Sequence, residues 1–124
     1  MHCFSGGFTH AFAVSDDGSA YGIGMNYFGK IGLSEDVEKT ENFVKIQSLS
    51  KYMIIEAYAG RHHSLFCTSQ GKVLACGSNY LGEFQNVSPS DTDYYNPIDT
   101  GLSGALFCIA GNCVSAAFSL HFFI

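Results

Sequence analysis

Positive charge is scarce in this sequence. Six Lys and Arg stand against eleven Asp and Glu, for a formal net charge of −5. A surface that tracks phosphates needs clustered bases, so direct nucleic-acid binding is not expected. Tryptophan is absent and proline occurs twice, against 14 Gly, 11 Phe and 7 Tyr. Aromatic-rich strands joined by glycine turns suit that mixture better than helices do. The start, Met1-His2-Cys3-Phe4, lacks the basic residues and apolar stretch of a secretion signal. The five cysteines (Cys3, Cys67, Cys76, Cys108, Cys113) are odd in number, so the expected compartment is reducing and intracellular, cytoplasmic or nuclear. Thr100 to Ile124 carries no Lys, Arg, Asp or Glu and is long enough to cross a bilayer. Gly101, Ser103, Gly104, Gly111, Asn112, Ser115, Ser119 and His121 interrupt it and no basic flank sets an orientation, so no membrane span is expected.

What the chain does have is a copy of itself. Gly7-Phe8-Thr9-His10 through Asp17-Gly18 returns 53 positions on as Gly60-Arg61-His62-His63 through Gln70-Gly71. The match continues through Gly24-Met25-Asn26-Tyr27-Phe28-Gly29 against Gly77-Ser78-Asn79-Tyr80-Leu81-Gly82. Identical at that offset are Gly7/Gly60, His10/His63, Gly18/Gly71, Gly24/Gly77, Asn26/Asn79, Tyr27/Tyr80 and Gly29/Gly82. Most of these are glycines, so what recurs is backbone geometry and not a reactive group. A period in this range marks stacked units, each too small to bury its own apolar face. Ile109-Ala110-Gly111 repeats Tyr58-Ala59-Gly60 and opens a third unit. The unit boundaries fall at about 1–52, 53–104 and 105–124, and 1–124 reads as one partial array.

Turn chemistry places about four strands in each unit. Thr9–Val14 and Ala20–Gly24 flank an Asp17-Gly18 tip, whose tight turn is expected to need positive φ at both central residues. Ser64–Thr68 and Val73–Cys76 flank Gln70-Gly71. An apolar run precedes each hairpin (Cys3-Phe4; Met53-Ile54-Ile55 with Ala57-Tyr58-Ala59), and Val44-Lys45-Ile46 and Pro97-Ile98 are read as closing strands. In the glycine-bracketed bend, Asn26 is expected to bond its own backbone while the aromatic beside it folds over the sheet. Leu33–Leu49, which holds the acidic run Ser34–Lys45, is expected to be an exposed, solvated loop. Four-stranded units of this size suit blades of a β-propeller.

The stretch from Gly60 to Gly82 resembles the regulator of chromosome condensation repeat. That pattern is Gly, two residues, His-Ser/Thr, an aliphatic strand, Asp/Asn-Gly, a second strand, Trp/Cys-Gly, then Asn, two residues and Gly-Gln-Leu-Gly. The first unit carries His10, Asp17-Gly18, Gly24, Asn26, Gly29 and Gly32 of it. Two departures stand out. Gly29-Lys30-Ile31-Gly32 and Gly82-Glu83-Phe84-Gln85 replace Gly-Gln-Leu-Gly, and Val114 replaces the histidine in the third unit. The resemblance implies an all-β fold of propeller blades, here an incomplete part of a seven-bladed ring. It also implies a protein-interaction module. The alternative it implies is a guanine-nucleotide exchange factor for a Ran-type small GTPase. With a little over two units present, the chain is expected to be a fragment that needs further blades or self-association.

No enzymatic constellation is expected, nor a cofactor or metal site. His10 and His63 recur once per unit, which suits architecture and not a single active site; each is expected to be buried and bonded to backbone. Ser64 adjoins His63, but neighbours on a strand face apart. His62, His63 and Cys67 are not expected to converge on a metal, and Cys108/Cys113 lack zinc-knuckle spacing. Gly22-Ile23-Gly24 with Gly29 lacks the spacing and following helix of a dinucleotide fingerprint. Asn86-Val87-Ser88 fits a glycosylation pattern without a secretion signal to support it. The candidate positions are therefore structural: Gly7, His10, Gly18, Gly24, Asn26 and Gly29, with Gly60, His63, Gly71, Gly77, Asn79 and Gly82.

Overall fold

The computed structural model describes residues 2–5, 9–79, 93–101, 105–110 and 115–119; Gly7 and Gly82 lie outside them. The described residues form ten strands: β1 (His2–Ser5), β2 (His10–Val14), β3 (Ala20–Met25), β4 (Lys39–Lys45), β5 (Ile54–Ala59), β6 (His63–Thr68), β7 (Val73–Ser78), β8 (Asp93–Asp99), β9 (Ala105–Ala110) and β10 (Ser115–Ser119). They make three antiparallel sheets, ordered β1-β2-β3-β4, β5-β6-β7-β8 and β9-β10. Each four-stranded sheet is a plain meander. β5 packs against β1 and β2, and β9 packs against β5 and β6, so the sheets stand side by side as successive blades.

Packing explains why one unit alone would not suffice. In β6, Phe66 joins a core cluster with Phe12, Val14, Ile31, Ile46, Leu49 and Ile54, drawn from both blades. The rings of Phe12 and Phe66 meet edge to face, centroids 4.9 Å apart. Leu65 and Cys67, on the other face of the same strand, form a second cluster with Val73 and Ala75. All six residues of β6 are buried, as expected for a strand covered on both faces, each side taking alternate residues. The main core therefore lies between blades.

Both hairpins turn by one mechanism, and it differs from the expected one. The Gly18 N–H donates to Ser15 O at 3.0 Å and the Ser15 N–H to Ser19 O at 2.9 Å. Gly71 repeats this, donating to Thr68 O at 2.9 Å. Only the glycines take positive φ, +86° at Gly18 and +80° at Gly71, while Asp17 does not. A longer loop with one left-handed glycine replaces the two-residue turn, because a single such residue suffices to bring the strands back into register. The Asp17 carboxylate closes the first loop by accepting from the Ser15 hydroxyl and from the Ser19 N–H at 3.0 Å.

Leu33–Leu49 is not a loop throughout. Lys39–Lys45 is the fourth strand, pairing Tyr21 with Lys45, Gly22 with Val44 and Gly24 with Thr40. Glu35, Asp36 and Glu38 precede it and are exposed. β4 is exposed along nearly its whole length, so charge persists through a true strand; charged side chains on an outer strand also discourage edge-to-edge pairing. Pro97 likewise sits within β8, an outer strand, where a missing N–H is tolerated.

Candidate functional site

His10 opens β2 and is 5% exposed; Ser64, in the second blade, is fully buried. His10 Nε2 lies 2.8 Å from Ser64 Oγ, and Ser64 Oγ donates to the Lys30 carbonyl at 2.6 Å. A hydroxyl has one proton, and Lys30 O holds it. Ser64 Oγ therefore accepts from His10 Nε2–H, which places the imidazole proton on Nε2. His10 is thus bonded to a side chain, not to backbone as expected, because the neighbouring blade offers a hydroxyl at that height. Ser64 pairs not with His63 beside it but with His10, 54 residues back. Burial above all, then the charges of Lys30 and His63, lowers the His10 pKa from 6.5 to about 3. A neutral imidazole that donates to a hydroxyl already committed to a carbonyl cannot activate it as a nucleophile. The pair ties two blades together.

Lys30 completes that tie. Its carbonyl also accepts from Cys76 Sγ at 3.5 Å. Its ammonium donates to Thr9 Oγ1 at 2.5 Å and to the Arg61 carbonyl, across the blade boundary, at 3.2 Å.

Asn26 organises the bend that carries Lys30. Its Nδ2 donates to Leu33 O at 3.1 Å, Ser34 O at 3.2 Å and Val37 O at 2.9 Å, and its Oδ1 accepts from the Ile31 N–H at 3.1 Å. The asparagine thus bonds the backbone five to eleven residues onward, not its own. Gly24 precedes it at φ +112°, where a Cβ would stand 2.2 Å from Thr9 O; Gly77, at φ +101°, would place one 2.4 Å from His62 O. In both blades the first strand of the hairpin starts too close for a side chain there. Tyr27 and Phe28 do not fold over the sheet: they are 53% and 38% exposed. Phe28 holds φ +64°, and is the one described non-glycine residue in the left-handed region. The Asn26 bonds fix the chain on either side and turn Phe28 outward, edge to face with His62 at 5.1 Å.

This aromatic pair separates two hollows of opposite character. On one side a cavity of about 270 Å³ is lined by Thr9, Tyr27, Phe28, Lys30, Arg61 and His62. On the other, about 520 Å³ is lined in part by Glu35, Glu38, Asp93 and Tyr95. Burial, and the charge of Glu35, push the Asp93 carboxyl above its ordinary pKa. Sequence reasoning passed over Lys30, Tyr27 and Phe28 as site residues; their one signal was a lysine in the glycine-bracketed bend.

Of the other expected positions, Gly60 is buried and its N–H donates to His63 O at 2.8 Å. His63 and Asn79 are fully buried, and His63 heads the face of β6 that carries Leu65 and Cys67. Gly29 takes φ +81°, its Cβ position 2.5 Å from Tyr95 Cα, so the first bend rests directly on β8. Cys67 and Cys76 are buried and form no disulfide, and burial raises the Cys76 pKa well above the ordinary thiol value. Among the described residues no group of His, Cys, Asp or Glu is arranged to hold a metal ion, and no helix is long and apolar enough to cross a membrane.

Two four-stranded meanders packed side by side, each hairpin ending on a positive-φ glycine (Gly24, Gly77) with a buried asparagine two residues on (Asn26, Asn79), define a β-propeller repeat protein. The family model for the regulator of chromosome condensation (RCC1) repeat matches residues 17–67, and a second model of that description matches residues 54–83. The chain belongs to the RCC1 repeat family. It is 36% identical over 88 residues to the guanine nucleotide exchange factor SRM1 of Saccharomyces cerevisiae, covering 68% of this chain and 18% of that protein. It is 30% identical over 119 residues to protein RCC2 of Homo sapiens, covering 90% of this chain and 23% of that protein. In the crystal structure of Kap60 bound to yeast RCC1 (Prp20), a chain matches with a TM-score of 0.75 at 23% identity, covering 94% of this chain and 29% of its own length. The chain therefore spans less than a quarter of the length of these two curated relatives.

Proposed function

We propose that this chain is part of a protein-interaction module, presenting the bends and loops at one end of its blades to a protein partner, in the nucleus or the cytoplasm. Its repeat units are taken as 1–52, 53–104 and 105–124, and the twelve recurrent positions from Gly7 to Gly82 as their structural frame. The observation that carries this reading is a division of labour. The recurrent polar side chains His10, His63, Asn26 and Asn79 are buried, whereas Tyr27 and Phe28 project from the bend between two charged hollows. Exposed aromatics rimmed by charge are what partner surfaces tend to use. The test is calorimetry with a single purified partner of the full-length protein. Saturable binding that is lost when Tyr27 and Phe28 are both replaced by Ser supports the module; undiminished binding by that variant counts against it.

A second reading has its own support. SRM1 is named a guanine nucleotide exchange factor, so exchange on a Ran-type small GTPase is the alternative. Prying at a nucleotide site needs loops from several blades acting together, and the described residues supply few. Accelerated release of a fluorescent guanine nucleotide from such a GTPase, on adding the full-length protein, would favour exchange. An unchanged release rate favours interaction alone.

A further inference from the structure

Lys30 is 3% exposed and lines the smaller hollow, yet among the described residues no carboxylate pairs with it. Its two hydrogen-bond acceptors, Thr9 Oγ1 and Arg61 O, are both neutral. The Tyr27 ring, 5.7 Å from Nζ, adds a weak attraction for the cation. An ammonium has three N–H donors, and one stays unassigned. Burying a charge without a counter-charge is costly, and the lost hydration lowers the Lys30 pKa. The repeat does not keep the charge: the same sequence position 53 residues on is Glu83. A cation kept at a place where it costs stability, at the inner end of a cavity, points to an anion that arrives from outside.

The surroundings define that anion. Arg61, exposed at the rim, and His62 line the same hollow, and among the described residues no Asp or Glu does. This local positive field sits on a chain of net charge −5. The rim is aromatic on one side, where Phe28 is held outward at an unfavourable φ, a cost tolerated where structure serves a function. Beyond that ridge the second hollow is acidic and repels a misdirected carboxylate. A free ion has no use for an aromatic rim or for a repelling neighbour; a carboxylate flanked by apolar residues has use for both. We propose that the Lys30 hollow receives an Asp or Glu side chain of a partner protein, with Lys30 Nζ holding the carboxylate and Tyr27 and Phe28 covering the apolar residue next to it. This rests on the interaction-module reading and names the chemistry of its contact.

The test uses the full-length protein and a capped peptide alternating Glu and Leu, beside its Gln-for-Glu counterpart and inorganic phosphate. Lys30→Gln keeps the chain length and can still donate to Thr9 and Arg61; Lys51→Gln, at an exposed site, controls for net charge. The expected result is binding of the Glu peptide, at least tenfold weaker in K30Q and unchanged in K51Q, with little binding of the Gln peptide. K30Q should also unfold at a higher temperature than the native protein, because a buried unpaired charge has been removed. Equal binding by K30Q, equal binding of the two peptides, or no binding by the native protein overturns the proposal. Saturation by phosphate without peptide binding overturns it too, as an adventitious ion only, and a lower melting temperature in K30Q with no loss of binding makes Lys30 structural. A purified partner that still binds K30Q at full strength removes this contact and leaves the module reading standing.

Discussion

His10 shows how a recurrent polar residue becomes part of the frame. Its folded pKa lies near 3 against 6.5 when unfolded. Between those values the unfolded chain binds a proton and the folded one does not, so stability rises with pH across that window. The contribution is full above about 6.5 and is lost as pH falls toward 3. Thermal midpoints measured from pH 7 to pH 4 should therefore fall less steeply in His10→Gln than in the native chain, and parallel curves would refute the assignment. Asp17 acts lower. The Ser15 hydroxyl, then the Ser19 N–H, hold its pKa at about 2 against 3.8, so its share is lost only as pH drops through that range. Asn26→Ala should cost about 3 kcal/mol, read by urea unfolding, since it strips one buried N–H and three carbonyls of a partner; a loss under about 1 kcal/mol would show that water replaces the amide. That His10 and His63 are buried was legible because they recur. The partner of His10 was not, since Ser64 comes to it only when two blades pack. Lys30 recurs nowhere, and a singular residue leaves no periodic trace.

At the scale of elements, glycine punctuation made β2, β3, β6 and β7 readable to within a residue or two. β4 was read only at its end, as Val44-Lys45-Ile46, and its first five residues were hidden for a physical reason. Lys39, Glu41, Asn42 and Lys45 keep its sequence polar, and with Phe43 and Val44 also 45% and 40% exposed it has no buried face to write an apolar alternation. The two kinds of strand should respond differently to truncation. Phe12→Ala, in β2, empties a fully buried site against Phe66 and should destabilise by about 3–5 kcal/mol. Phe43→Ala, in β4, should change stability by under about 1 kcal/mol. Chemical denaturation of both variants decides it, and similar losses would mean that β4 is covered on a face it shows here to solvent.

For the whole molecule, the offset of 53 residues between copies carried nearly all of the architecture, because a repeat that cannot bury its own apolar face must stack on the next one. The structure places that shared core where the principle requires it, with Phe12 and Ile46 of one blade against Ile54 and Phe66 of the other. What the offset could not convey is a residue that differs between copies, Lys30, whose counterpart 53 positions on is Glu83. The central claim is that each blade depends on its neighbours. Among the described residues β10 pairs only with β9, and a two-stranded ribbon presents an open strand edge. Residues 1–124 expressed alone should therefore associate. Sedimentation velocity across a range of concentrations tests this: the account predicts species larger than the 13.4 kDa chain, increasing with concentration, and a folded monomer at every concentration would contradict it.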